Sequence, residues 1–192
     1  MKKYRQNSAV PIAVVMLLIA AALLTAAGIL GYSMYRDKSY PLDYSEYVEK
    51  YSAENGLNKF LVYAVIKTES GFRSDAVSNV GARGLMQITE DTFDWIKYRL
   101  GDEETVYYDM YDPETNIKYG CWFLGFLSEE FAGVDEVASA YHAGRGSVNE
   151  WLKNKKYSSD GIHLKEIPIK DTAHYVYNIT KAMDAYIRLY DK

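Results

Sequence analysis

From Ala9 to Tyr32 the chain runs for 24 residues without a charged side chain. As a helix, about 20 apolar residues cross the hydrocarbon core of a bilayer. Nothing polar enough to mark a solvent face interrupts the run, so a soluble core helix fits it poorly. It is also too long for the apolar core of an ordinary signal peptide, although Ala26-Ala27-Gly28 could be read as a cleavage site. The reading is an uncleaved signal anchor over residues 9–32. Lys2, Lys3 and Arg5 precede it, and the positive-inside rule puts residues 1–8 in the cytoplasm and everything after Tyr32 outside. Residues 33–41 read as a linker and residues 42–192 as one domain of ordinary size.

Charge divides along the same boundary. Residues 1–38 carry five basic groups and one acid, a net of +4; with −4 for the whole chain, residues 39–192 carry −8. A domain that acidic is a poor partner for nucleic acid. Cys121 is the single cysteine and excludes an intramolecular disulfide. Its apolar helical setting reads as a small buried hydrophobe. There are 19 tyrosines against 6 Phe and 3 Trp. Tyrosine suits a sugar-binding surface, being apolar with a wet hydroxyl, but a compositional habit explains most of them as well.

After the anchor the pattern is helical throughout. Asp43 to Ala53 reads as a short helix ended by Asn55-Gly56. Asn58 can cap a second helix ending near Glu69, with Phe60, Leu61, Ala64, Val65 and Thr68 at helical spacing. Thr89 can cap a third, stopped by Gly101. Asp112-Pro113 starts a fourth, cap then proline at the first helical position, which runs to about Gly133. Val134 to Ala143 is a fifth, and Ser147 can cap a short turn over Val148 to Leu152. Asp171 opens a long amphipathic helix with Ala173, Val176, Tyr177, Thr180, Met183 and Ile187 on one stripe. Ala76 to Val80 and Tyr157 to Ile169 are the only candidates for minor strands or loops. The fold class expected is mainly α.

One coherent catalytic set stands out. Glu69-Ser70-Gly71-Phe72 ends an apolar helix, and Gly81-Ala82-Arg83-Gly84-Leu85-Met86-Gln87-Ile88 follows as a glycine-broken loop. That arrangement places a single carboxylic acid at the wall of a cleft lined by amide and backbone groups. There is no Ser/His/Asp spacing, phosphate loop or metal cluster, and His163 and His174 lack a ligand partner at helical spacing.

These residues also carry a resemblance. Glu69, Ser70, Phe72, Ala76, Ser78, Gly81, Ala82, Gly84, Leu85, Met86 and Gln87 keep every spacing of the lytic transglycosylase domain of the soluble (family 1) type. That domain is lysozyme-like and related to goose-type lysozymes. Asp112-Pro113-Glu114-Thr115-Asn116-Ile117 with Gly120 resembles a second block, Ala140-Tyr141-His142-Ala143-Gly144 a third, and Asp171-Thr172-Ala173-His174-Tyr175-Val176 a fourth. The four blocks come in the family order. His142 stands where the family usually has Asn, and Asp171 where it usually has Glu.

The resemblance implies a peptidoglycan lytic transglycosylase, cleaving the β-1,4 bond between N-acetylmuramic acid and N-acetylglucosamine without water and without a cofactor. Glu69 is then the catalytic acid and base, its pKa raised to roughly 6–7 by apolar neighbours such as Phe72, Met86 and Ile88. Ser70, Met86, Gln87, Tyr141, His142 and Tyr175 are the implied substrate-binding set, with Tyr141 near Glu69 and Tyr175 supporting or hydrogen-bonding it. On the residues alone, Ser70 also suits a polar helix end, Gln87 a satisfied buried amide and Met86 core packing. Expected partners are peptidoglycan strands, the bilayer and other wall-remodelling or envelope-machine proteins. Two other readings stay open: a goose-type muramidase using Asp75, Asp94, Asp109 or Asp171 to activate water, and a non-catalytic peptidoglycan-binding scaffold.

Overall fold

The computed structural model describes residues 11–191. The basic tail with Lys2, Lys3 and Arg5, and the first two residues of the apolar run, Ala9 and Val10, lie outside the described residues. The chain parts into two compact units between Pro41 and Leu42.

The first unit is helix α1, Ile12–Ser39, long and apolar enough to cross a membrane and with none of its residues buried. It does not stop at Tyr32 but continues through most of the segment read as a linker. Ser33 and Arg36 both bond Asp37 there (Oγ–Oδ2 3.3 Å, Nε–Oδ1 2.8 Å), and Arg36 and Lys38 favour the negative end of the helix dipole.

The second unit holds α2 (Ser45–Glu54), α3 (Lys59–Glu69), α4 (Glu90–Leu100), α5 (Pro113–Glu130), α6 (Val134–Ala143), α7 (Arg145–Lys153) and α8 (Lys170–Tyr190). Among the described residues a single 3₁₀ turn is found, over Tyr107–Tyr111. Among the described residues there are isolated bridges, Val77 with Arg83, Arg83 with Ile88 and Ser158 with Leu164, but no strand. The expected mainly α class is what forms.

Three side-chain caps fix three helix starts. Asn58 Oδ1 accepts from Phe60 N–H at 2.8 Å, Thr89 Oγ1 from Thr92 N–H at 3.3 Å, and Asp112 Oδ2 from Thr115 N–H at 2.9 Å. α3 is the axis of the core: Phe60 through Ile66 are all buried, and it packs most extensively on α8. A helix buried all round has no polar face, which is why its sequence is apolar nearly throughout. Several tyrosines are core material. Tyr63, Tyr119 and Tyr186 are essentially inaccessible, with Tyr63 stacked on Tyr186 at 5.3 Å and Phe93 on Tyr119 at 5.3 Å.

Two boundaries and one buried face differ from the sequence reading. α5 ends at Glu130 rather than near Gly133, because Gly133 is already the cap of α6. The buried Glu136 carboxylate lies 2.4 Å from where a Gly133 Cβ would stand, so the glycine makes room for it. Glu136 Oε1 accepts the Leu164 N–H at 2.6 Å, tying the 154–169 loop to α6. α7 starts two residues before Ser147, whose hydroxyl donates back to Ala143 O at 2.9 Å instead of capping. On α8 the buried face is Thr172, Tyr175, Val176, Ile179, Ala182, Ala185 and Tyr186; of the expected stripe, Tyr177 is exposed and only Val176 is buried.

Candidate active site

Glu69 is the last residue of α3, where the unsatisfied carbonyls of the final turn make an anion unwelcome. The chain leaves the helix through three residues that a right-handed helix cannot follow: Ser70 as cap, then Gly71 at φ +59° and Phe72 at φ +67°. Positive φ in a bulky residue costs about 1 kcal/mol or more. That cost falls on the turn presenting the carboxyl.

Burial pushes the Glu69 carboxyl up to about 7, against a smaller lowering from the hydroxyl of Tyr175. Tyr175, on the buried face of α8, donates to Glu69 Oε1 at 2.7 Å. Among the described residues it is the only side chain hydrogen-bonded to that carboxyl. Tyr141, at the end of α6, has its hydroxyl pKa pushed far up, first by burial and then by the charge of Glu69. It donates to Met86 O at 2.7 Å. Three segments far apart in sequence therefore meet at one acid.

His142 sits beside this group. Its ring lies 4.6 Å from the ring of Tyr175, tilted by 32°, and its Nδ1 is 3.1 Å from Thr172 Oγ1. Burial on that side pushes its pKa down from the ordinary histidine value, while Asp171 opposes the shift. The residue as a whole is exposed.

The loop from Ala76 to Ile88 is held by its own backbone and by one asparagine. Arg83 and Ile88 exchange both backbone bonds at 2.9 and 3.1 Å, and Gly84 N–H reaches Ala76 O at 2.9 Å. Asn116, fully buried on α5, accepts from Met86 N–H at 2.8 Å and donates to Met110 O at 2.8 Å and Arg83 O at 3.0 Å. Gly84 stands at φ +77°, and a Cβ there would lie 2.0 Å from Met110 O and 2.3 Å from Asn116 Nδ2. A Cβ on Gly120 would lie 2.2 Å from Met86 Sδ. Both glycines are spaces occupied by this clasp.

Ser70, Met86 and Gln87 are committed inward. Ser70 is 4% exposed, and its hydroxyl reaches Leu85 O at 2.8 Å and Ile66 O at 3.1 Å. Met86 has no exposed surface. Gln87, at φ +48°, spends its amide N–H groups on Gly84 O at 2.9 Å and Ala76 O at 3.1 Å. Their visible work is to join the loop to the end of α3. Of the residues expected to shelter Glu69, Met86 and Ile88 are buried in the fold and Phe72 is half-buried, its ring 6.4 Å from that of Tyr63.

Two contributors had no role in the sequence reading. Asn116 is a polar residue on the otherwise apolar inner face of α5, a signal that it must satisfy something inside. Thr172 shares a face of α8 with Tyr175, three residues on, and is buried. The four aspartates considered as a second acid form no hydrogen bond with Glu69. Asp75, Asp94 and Asp171 are exposed, and Asp109 accepts the Val106 N–H at 2.9 Å.

The family described as the transglycosylase SLT domain matches residues 46–163. A soluble lytic murein transglycosylase of Salmonella typhimurium is 32% identical over 161 residues, 79% of this chain and 24% of the relative. A membrane-bound lytic murein transglycosylase C of Serratia proteamaculans is 27% identical over 169 residues, 76% of this chain and 47% of the relative. The crystal structure of the 70 kDa soluble lytic transglycosylase of Escherichia coli superposes with a TM-score of 0.71 at 26% identity, covering 80% of this chain and 25% of that one. The chain thus spans about a quarter of the length of its soluble relatives and about half of the membrane-bound one.

Proposed function

Because the chain belongs to the transglycosylase SLT domain family, we propose that it is a membrane-anchored peptidoglycan lytic transglycosylase with Glu69 as its single acid and base. The observation that carries this is the Glu69–Tyr175 pair: a sheltered carboxyl with a pKa of about 7, bonded by one hydroxyl and by no other carboxylate.

The chemistry follows from that pair. A carboxyl that is about half protonated at neutral pH, and more so below it, can donate to the oxygen between N-acetylmuramic acid and N-acetylglucosamine as the bond breaks. Tyr175 donates to Oε1, which leaves Oε2 as the oxygen that carries the proton. Once the proton has left, the same hydroxyl stabilises the carboxylate, which then takes the proton of the muramic acid 6-hydroxyl as that oxygen attacks C1. The bond to the leaving sugar is exchanged for a 1,6-anhydro bridge and no water is consumed. A hydrolase would ordinarily need a second carboxyl placed across the bond; of the four candidate aspartates, Asp75, Asp94 and Asp171 are exposed and Asp109 is spent on the Val106 N–H.

Around the acid, Tyr141 and Tyr175 set its environment, and the exposed His142 is open to the substrate. Ser70, Met86 and Gln87 act on the sugar indirectly, by holding the Ala76–Ile88 loop against the end of α3. The bare apolar surface of α1 supports a single membrane crossing, with residues 42–192 on the extracytoplasmic side where the polymer lies. Protease added to wall-stripped cells should digest the second unit; its full protection would refute this topology. Further envelope proteins are expected to recruit the anchored enzyme to its place of work, and co-purification with the full chain from membranes tests that. The activity test is Glu69→Gln: solubilisation of purified peptidoglycan should fall by about 10²- to 10⁴-fold while binding to the polymer persists. Retention of most activity would move the acid elsewhere.

A further inference from the structure

At the other end of α3 from Glu69 lies a cavity of about 300 Å³, bounded by Glu54 and Asn55 from the end of α2, Arg99 from α4, and Trp122, Phe126 and Glu129 from α5. Eleven residues of α3 separate the two places, about 16 Å at 1.5 Å per residue. Gly125 forms part of the floor: a Cβ there would stand 3.0 Å from Asn55 Cβ and 3.2 Å from Asn55 O, so the glycine is what lets α2 and α5 approach. The volume is at the lower end of small-ligand sites.

The charges around this cavity are unspent. Among the described residues, Arg99, Glu54 and Glu129 enter no ion pair and no side-chain hydrogen bond, either with one another or with a neighbour. All three are exposed to solvent, and some other charged groups on this unit are paired, as Arg145 is with Glu130 at 2.7 Å and Lys50 with Glu114 at 3.0 Å. Arg99 is held in place by aromatic faces, its guanidinium carbon 5.7 Å from the ring of Trp95 and 5.5 Å from that of Phe126. Stacking of that kind leaves the N–H edge of the guanidinium for a planar anion, a carboxylate above all. Two carboxylates and the carbonyl end of α2 offer the opposite preference, for an ammonium. Trp122 and Phe126, stacked at 5.8 Å, supply an apolar wall between them.

We infer that this cavity is a binding site for a zwitterionic peptide end, and specifically for the diamino-acid end of the peptide stems that peptidoglycan sugars carry. A ligand with one carboxylate and one ammonium offers a counter-charge to all three side chains, whereas a neutral sugar ring offers none. The inference rests on the proposed substrate. An extended tripeptide spans about 10 Å, shorter than this separation, so the stem that reaches the cavity belongs to a sugar further along the strand than the one at Glu69. The site grips the strand by its peptide and leaves the glycosidic bond to Glu69. It also gives the enzyme a preference for strands whose stems keep a free amine and carboxylate.

The test is calorimetric titration of the full chain in detergent micelles, carrying Glu69→Gln so that nothing is cleaved. The probes are the tripeptide L-alanyl-γ-D-glutamyl-meso-diaminopimelate, the same peptide acetylated on its distal amine or amidated on its distal carboxylate, and chitotetraose. The tripeptide should bind, and each blocked form should bind about tenfold more weakly, as loss of a charge-assisted pair implies. Glu129→Gln and Arg99→Gln should each weaken the unmodified peptide by a similar factor. Glu129 is exposed and its substitution isosteric, so it answers the question even if Arg99→Gln disturbs the aromatic stack. Absence of peptide binding, affinities indifferent to these substitutions, or chitotetraose binding that depends on Arg99 and Glu129 would overturn the assignment. Binding here needs no turnover. Peptide binding by a protein whose unmutated form cleaves nothing would keep the site and refute the enzymatic reading, and cleavage without peptide binding would do the reverse.

Discussion

Replacing Glu69 by glutamine should make the protein more stable as pH rises above 4.5, with the full gain above pH 7. The carboxyl has an ordinary value of 4.5 in the unfolded chain and about 7 in the fold. Since the raised group is an acid, the folded state holds its proton more tightly than the unfolded state does. The penalty of ionising it is absent below pH 4.5, grows through the interval, and is complete above pH 7. At about 1.4 kcal/mol per pH unit, the full penalty is about 3 kcal/mol. Glutamine has nearly the same shape, keeps an oxygen to accept the Tyr175 hydroxyl, and never ionises. Its neutral acceptor is weaker, so the gain should be about 2–3 kcal/mol at pH 8 and near zero at pH 4.5. For a chain of this size that corresponds to roughly 5–10 °C in Tm. Thermal and urea unfolding of the two proteins at pH 4.5, 6 and 8 measure it. Equal stability at pH 8, or a gain independent of pH, would show that the carboxyl is not strained by burial and would remove the physical basis for its role as an acid.

Tyr175→Phe removes the one hydroxyl that lowers the Glu69 pKa. The alkaline limb of activity, on which the acid form is lost as pH rises through about 7, should move up by about one to two pH units, the worth of a charge-assisted hydrogen bond. An unmoved limb would mean that the bond does not survive in solution. Asn116→Leu keeps the volume but strips partners from Met86 N–H, Met110 O and Arg83 O; denaturant titration should show a loss of about 3–5 kcal/mol, and a loss below about 1 kcal/mol would deny the clasp. His142 acquires its charge only below its lowered pKa, beside Tyr175. His142→Asn should therefore raise activity at pH 5 relative to pH 6.5, and an identical ratio would make that charge irrelevant.

Local physics explains which parts of this fold were legible in the sequence. The caps at Asn58, Thr89 and Asp112 reach only two or three residues along the chain, and all three bonds form as their residue types suggest. Starts without a side-chain cap were uneven: α6 begins at Val134 as expected, but Gly144 opens α7 through backbone conformation alone, and Ser147 looked like a cap but bonds backwards. The phase of α8 was misjudged because apolar residue type stood in for direction. Thr172 and Ala182 face inward against α3 and α6, while Tyr177 faces out, a choice made by the neighbouring helices. At the site, a glutamate ending an apolar helix was visible in the sequence. Ser70, Met86 and Gln87 were visible as a motif, but the direction in which they spend their hydrogen bonds was not. That depends on Leu85, Ala76 and Asn116 closing a loop over distances of up to thirty residues. Gly84 and Gly120 acquire their reason only there, as the room needed by Asn116 and Met86.

Product chemistry tests the central claim most directly, because acid catalysis by Glu69 is common to both ways of breaking the bond. What differs is the attacking oxygen. The muramic acid 6-hydroxyl is part of the same sugar ring, and such an intramolecular step can gain about 7–11 kcal/mol from orientation alone. Water without a positioned carboxylate has no comparable help, and the candidate aspartates Asp75, Asp94 and Asp171 are exposed while Asp109 is held by the Val106 N–H. Purified full-length protein should convert peptidoglycan into muropeptides that end in 1,6-anhydro-N-acetylmuramic acid, lighter by one water than hydrolytic products in the mass spectrum and inert to borohydride. Products with predominantly reducing N-acetylmuramic acid ends would contradict the account and require a water-activating base that Glu69 and Tyr175 do not provide.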